Sequence, residues 1–502
     1  MTSELPPPAK AQGHPRGLYT LFFTEMWERL GYYGMRALLV LFMVDSVRGG
    51  MGLTDKLATS IYGLYTCAVY VAALPGGWFA DRIFGARKAV WYGGIIIALG
   101  YFALALPWTQ TFFFGLVLVV LGTGLLKPNM SAMVGELYPE GGGRRDAGFT
   151  IFYMGINLGA FLGPLICSSL GERINWHYGF GAAGVGMVLG LVQYRLTGRH
   201  LGEVGQHPSK SKPLSLRERY GMLLGLGALG LVLVLAFTGL LVIDPVKVAR
   251  KTTTVLVALA VCYFAYALLF LGLEKAEKRR VWVIIVLFVS SALFWAGFEQ
   301  AGSSFSLFAE RYTDRTIDAL RFVIPAGWFQ SLGPIFVVSL APVAAALWMA
   351  LARRRIEPSL AVKFAYGLML LGAGFLVMAG AGRIAASGHK AWPTWLIATF
   401  LLHTFGELCV SPVGLSSVTK LAPRRLVGQM MGAWFLATSL GNLIAGLFAG
   451  EVTGQAVEQM SGRFLQLVWM PVGAGVVLLL LARPIAKMST AGLVSSDGNT
   501  VT

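Results

Sequence analysis

Seven ionisable side chains stand inside stretches of sequence that are otherwise apolar: Glu25, Glu28, Arg29, Arg36, Lys127, Glu299 and Glu407. The remaining Asp and Glu fall in loops, termini or helix ends, and one further base, Lys363, lies near enough to a span end to snorkel. An ionised group at the centre of a bilayer costs at least about 2.5 kcal/mol. Seven of them are therefore expected to face one another across a wet cavity. Glu25, Glu28, Arg29, Tyr32, Tyr33 and Arg36 recur at intervals of three and four, which puts them largely on one stripe of a single helix, with Glu25 able to pair with Arg29. Four acids against three bases leave the cluster one charge short of neutral, a natural acceptor for a single proton. Static ion pairs that merely hold helices together are the alternative. The spread over four helices, and the polar neighbours Tyr65, Tyr70, Asn129, Tyr153 and Asn157, favour the cavity. His403, one turn before Glu407, reads as a satisfied core histidine. No metal-ligand cluster, supported Ser/His/Asp arrangement or phosphate loop points to an enzyme, and no cofactor is expected.

These groups need long apolar elements to hold them. Of 502 residues 56% are hydrophobic and 13% charged, and the mean hydropathy is +0.66. About 20 apolar residues cross a bilayer as a helix, and such runs occur at 18–45, 55–80, 87–107, 111–134, 147–169, 174–196, 217–240, 253–274, 281–309, 324–352, 360–382, 391–418, 427–450 and 463–486. The 63 glycines and 21 prolines suit a membrane bundle, where small residues let helices approach and kinks are satisfied by neighbours. Twelve of the fourteen spans divide into two six-helix halves. The other two, with no charged residue in 221–243 or 253–273, are placed at the lipid-facing periphery. The expected divisions are 1–200 for the first bundle, 201–280 for a cytoplasmic linker and the inserted pair, 281–490 for the second bundle and 491–502 for a tail. Weak internal similarity supports the halves: Lys127 precedes Pro128 as Glu407 precedes Pro412.

The net charge of +17 sits in juxtamembrane clusters at 195–219, 275–280 and 353–355, not in an aromatic-interleaved basic domain, so nucleic acid is not an expected partner. The larger share of Lys and Arg flanks the side that carries both termini, which the positive-inside rule makes cytoplasmic. The polar, proline-rich residues before Arg16 are no cleavable signal, and the first span reads as a retained helix. Cys67, Cys167, Cys262 and Cys409 lie in apolar runs without paired spacing and read as buried small hydrophobes.

The sequence resembles the proton-dependent oligopeptide transporters of the major facilitator superfamily. EMWERLGYYGMRALL matches the ExxER signature and the block that follows it, and GGWFADRIFGARK resembles the loop between the second and third helices. GTGLLKPNMSAMVGELY, FYMGINLGAFLGPLI, FWAGFEQAGSS, WFQSLGP and LLHTFGELCVSPVGLSSVTKLAP match further blocks over almost the whole chain. The resemblance implies an all-α major facilitator fold of fourteen transmembrane helices, as in bacterial members with two extra helices. It implies a proton-coupled symporter importing di- and tripeptides, expected as a monomer in the inner membrane. By position, Glu25, Glu28, Arg29 and Lys127 would couple protons. Arg36 and Lys127 would take the peptide carboxylate and Glu407 the amino terminus, with Tyr32, Tyr33, Tyr70 and Asn157 lining the site. Arg36 and Glu299 would form a gate, and Trp295 and Trp434 pocket walls. A zwitterionic peptide suits such a site, because reading only its two charged ends tolerates many side chains. Three positions depart from the pattern. Gly333 replaces a frequent asparagine that helps hold the amino terminus. Gly63 replaces the histidine of mammalian members, which favours the ExxER and lysine route for protons. Leu30 and Gly31 replace phenylalanine and serine, a change expected to affect packing alone. Carriage of nitrate or another small anion on the same fold, and a receptor that binds without flux, are the rival expectations.

Overall fold

The computed structural model describes residues 13–140, 142–208, 215–354, 356, 358–454 and 456–490, so the expected tail at 491–502 lies outside the described residues. The first bundle is built from α1 (Arg16–Val44), α2 (Asp55–Phe79), α3 (Ala86–Leu104), α4 (Thr109–Glu136), α5 (Gly142–Arg173) and α6 (Trp176–Thr197). Next come α7 (Leu216–Phe237) and α8 (Pro245–Phe270). The second bundle comprises α9 (Lys275–Phe298), α10 (Ser304–Tyr312), α11 (Leu332–Arg353), α12 (Leu360–Ala386), α13 (Pro393–Leu421), α14 (Val427–Thr453) and α15 (Val457–Leu480), and the short α16 (Ala482–Ser489) follows. Eleven helical segments among the described residues are long and apolar enough to cross a membrane by length and composition. With α1, α3 and α6 they make the fourteen spans. α1 is the most charged of these and compensates by burial.

Three spans differ from their apolar runs, each for a local reason. The run at 281–309 is one crossing in two pieces: α9 starts at Lys275, a 3-10 turn at Glu299–Gly302 interrupts it, and Ser303 breaks the helix with φ −128 and ψ −92 before α10 begins. α8 starts eight residues before its apolar run. Asp244 accepts from the backbone N–H groups of Val246 (3.0 Å) and Lys247 (3.1 Å), and Pro245 occupies the first turn, where its missing donor costs nothing. The last span runs Val457–Leu480 rather than to 486, and the charged residues beyond it belong to α16.

Within the first bundle α1 lies along α5 and α6, α3 along α4 and α6, and α2 along α4. In the second, α12 lies between α13 and α15, and α9 along α14. No residue of α7 is buried, and α8 buries only Ala249, Leu256, Ala260, Phe264 and Ala267, touching α2 and α14. The inserted pair therefore sits at the periphery, as its lack of charge suggests. Ser215 and Glu218 form a reciprocal cap at the start of α7, and Glu218 pairs with Arg82 (2.7 Å).

The bundles meet along α2 and α14 and along α5 and α11. At the first seam Gly63 faces Gly446: a Cβ on Gly63 would stand 3.0 Å from the Gly446 Cα, so the helices approach backbone to backbone. At one end of the molecule, called distal here because it is opposite the start of α1, the bundles are tied by polar contacts. Arg311 forks onto Asp55 (2.6 and 2.7 Å), Arg48 reaches Glu310 (3.0 Å), and Glu172 accepts from the backbone N–H groups of Ala326 (2.6 Å) and Gly327 (2.8 Å). Trp328 donates its indole N–H to Ser169, and Ser331 its hydroxyl to the Phe161 carbonyl. A two-stranded hairpin, β1 (Thr316–Ile317) and β2 (Phe322–Val323), caps this end.

Candidate functional site

The helix breaks and glycine contacts leave a cavity of about 210 Å³ between the bundles, walled chiefly by α1, α2, α5, α9, α11 and α13. Its polar lining is Tyr33, Arg36, Tyr70, Asn157, Glu299 and Glu407, joined by Tyr153, Gln330 and His403. Arg36 is anchored at the distal roof: one Nη lies 2.5 Å from the Glu299 carboxylate and its Nε donates to the Tyr62 hydroxyl at 2.5 Å. The 3-10 turn after α9 is what presents Glu299 to α1, and the guanidinium also stands over the Tyr33 and Tyr62 rings at 5.7 Å. With two donors engaged, the guanidinium keeps further N–H groups for a ligand.

Glu407 lies on the α13 wall of the same cavity and makes no ion pair or hydrogen bond among the described residues. Lys127 also lacks an ion pair there. Its ammonium rests 4.2 Å from the centroid of the Tyr70 ring, itself a cavity wall, and its charged neighbours are Arg29, Glu28, Glu25 and Glu299. Trp295 lines the cavity with its indole N–H buried and unpartnered, held edge-on to Phe298 at 5.4 Å. Asn157 donates to the Tyr153 carbonyl (2.9 Å), leaving its own carbonyl free to accept. Gly333 also lines the cavity, and a Cβ there would meet nothing within 4 Å. The missing asparagine is thus open space rather than a gap refilled by a neighbour.

The seven charges do not all face one chamber. Glu25, Glu28 and Arg29 are buried inside the first bundle; the Arg29 Nε is 3.1 Å from Glu25 and also donates to Glu28. They share the stripe of Arg36 but lie two to three turns nearer the start of α1. There Gly159 of α5 packs on Met26 and Arg29, and none of the three lines the cavity. Glu25 Oε2, Glu28 Oε1 and one Arg29 Nη are buried without a protein partner. Buried polar atoms of this kind are ordinarily met by ordered water. Tyr32 also turns away from the cavity and stacks on Tyr65, with ring centroids 6.4 Å apart. Trp434 is not a wall either: its ring fits against Gly414 and beside Phe364 in the second bundle. His403 contacts the Leu371 carbonyl at 3.1 Å and is enclosed by Phe298, Phe305 and Phe375, as a core histidine should be, while one side reaches the cavity.

Sequence reasoning missed Tyr62, Gln330 and Glu172. Gln330 lies within the WFQSLGP block and carried a usable signal. Glu172 ends α5 and looks like any helix-end acid; only the arrival of the Ala326–Ser331 turn makes it a latch.

Two six-helix bundles around a charged cavity, with two peripheral spans, define a membrane carrier of the major facilitator type. Residues 87–464 match the POT family. The peptide transporter YePEPT of Yersinia enterocolitica is 43% identical over 489 residues, covering 95% of each chain. A di-/tripeptide transporter of Lactococcus lactis is 39% identical over 495 residues, covering 95% of this chain and 97% of its own. The crystal structure of a peptide transporter POT in complex with sulfate superposes with a TM-score of 0.88 at 39% identity, covering 96% of this chain and 97% of the other. The chain belongs to the POT family.

Proposed function

We propose that this protein imports di- and tripeptides together with protons by alternating access, in the inner membrane with both termini cytoplasmic. The observation that carries the reading is the unpaired Glu407 across one small cavity from Arg36, with Lys127 beside its Tyr70 wall. A peptide amino terminus would meet the carboxylate of Glu407, and its carboxylate would meet Arg36 and Lys127, each through charge-assisted hydrogen bonds. With the termini cytoplasmic, the distal end is extracellular. The present state is then closed to the outside by Arg36–Glu299, Asp55–Arg311, Arg48–Glu310 and the Glu172 latch.

In the present state Glu299 competes with a bound peptide carboxylate for Arg36, so the pair that closes the outside also favours release of the peptide, and a proton on one of the acids neutralises the charge left over while the peptide is held. Two ligands together thereby shift the equilibrium between states that differ in these pairs. Residues 1–200 and 281–490 are the rocking units, with 201–280 as linker and inserted pair. Glu25, Glu28, Arg29 and Lys127 form the proton-coupling group, and Lys127, beside the Tyr70 wall, joins it to the peptide chamber. Each chain holds a whole cavity, so a monomer suffices. The test is uptake of labelled dialanine into proteoliposomes. Accumulation under an inwardly acid pH gradient would carry no support; accumulation must follow an outside-acid gradient and vanish with an uncoupler. Dialanine counterflow that ignores the proton gradient would overturn the coupling.

A further inference from the structure

A second concave site of about 650 Å³ lies away from the central cavity, where the start of α3 meets the end of α6. Lys88, Arg195, Arg199 and His207 line it, together with the aromatic residues Trp91, Tyr92 and Tyr194. Lys88, Arg195, Arg199 and His207 are exposed, and none has an acidic partner within ion-pair distance among the described residues. Arg87 is different, because it builds the rim. Its guanidinium donates to the carbonyls of Gly202 (2.9 Å) and Gly198, and its backbone N–H to Gly205 (2.8 Å). Glu136 is spent on the Gly205 N–H at 2.9 Å. An uncompensated group of cations on a preformed concave surface attracts an anion.

The surroundings say which anion. Along α6 the exposed residues Val185, Leu189, Val192 and Leu196 follow one another at intervals of three or four and lead to Arg195 and Arg199. On the adjoining α3, Tyr92 and Leu99 are exposed on one face. Apolar strips on membrane-crossing helices face acyl chains, and Trp and Tyr concentrate at the interface. Aromatic residues at the boundary, a basic pocket above and an apolar double strip below fit a molecule with a phosphate head and hydrocarbon tails.

We propose that this pocket binds the phosphate headgroup of an anionic phospholipid, whose acyl chains lie on the strip formed by α3 and α6. The lipid bridges α3, α6 and the segment that leads to the inserted helices. This site is independent of what the central cavity carries.

The test is native mass spectrometry of the full chain in mixed micelles of phosphatidylglycerol and phosphatidylcholine. The wild type should retain phosphatidylglycerol over phosphatidylcholine by about tenfold or more, as expected when several cations each add attraction at a membrane surface, and the preference should shrink as salt rises. The triple variant Lys88→Gln, Arg195→Gln, Arg199→Gln should fall to near parity, and the charge-keeping variant Lys88→Arg, Arg195→Lys, Arg199→Lys should keep the preference. Dialanine uptake reports that both variants are folded, because none of the three residues lines the central cavity. An undiminished preference in the glutamine variant would overturn the proposal. So would displacement of phosphatidylglycerol by millimolar inorganic phosphate, which would mark a soluble-anion site.

Discussion

α1 and α7 are both membrane-crossing helices of one chain, and they invert each other. α1 carries Glu25, Glu28, Arg29 and Arg36 and buries most of its length; α7 has only apolar residues from Met222 to Phe237 and buries none. In water the apolar helix would be the one driven inside. In hydrocarbon an apolar surface costs nothing, so burial is reserved for helices whose polar groups need partners or a wet cavity. For this pair position follows polarity, and α1, the helix that a soluble protein would leave outside, is the one buried.

The contrast can be broken most severely inside α1. Arg29→Met leaves Glu25 and Glu28 buried without their cation, a loss of about 3–5 kcal/mol for a broken buried pair. The variant should show a sharply lowered thermal midpoint in detergent as well as no uptake, and a wild-type melting curve would deny that the pair stabilises the bundle. Lys127→Ala should separate folding from function, because Lys127 has no ion pair among the described residues to lose. Its melting should change little while gradient-driven dialanine accumulation falls to background; normal accumulation would remove Lys127 from coupling.

Smaller effects sharpen the picture. Glu407→Gln removes one charge-assisted contact worth about 1.5–3 kcal/mol. Binding of free dipeptides should weaken roughly ten- to hundredfold, with N-acetylated dipeptides little affected, and equal losses would contradict an amino-terminal role. Gly333→Asn fills open space in the cavity wall with a donor and acceptor, so dialanine affinity should rise by a few fold in a competition assay. The least effect is expected at α7, where Leu224→Ala should leave uptake and melting within about 0.5 kcal/mol of wild type, the range for exposed positions. A large loss there would mean that α7 is covered in the working protein.

Much of this was legible in the sequence. Apolar run lengths located the spans, the scarcity of intramembrane charge singled out the residues to follow, and the ordered family blocks placed Arg36, Glu299 and Glu407 at one cavity. What periodicity could not supply is the level along a helix at which a neighbour closes over it. Glu25 and Arg36 share a stripe, yet only Arg36 lines the cavity, while Glu25 is buried inside the first bundle. Trp434 lies off the cavity for a related reason: α14 turns it into the notch at Gly414, a partner on another helix that no spacing along α14 reveals. The turn at Glu299–Gly302 was hidden because it sits inside a run whose length suits one unbroken crossing, and the Glu172 latch because its donors are backbone N–H groups from a distant loop.

The meeting of Gly63 with Gly446 has a mechanical corollary. With no side chain between the two backbones, this seam would serve the proposed rocking as a fulcrum about which the bundles roll without first withdrawing a side chain. A methyl added to Gly446 would collide with the Thr59 carbonyl and wedge the seam apart.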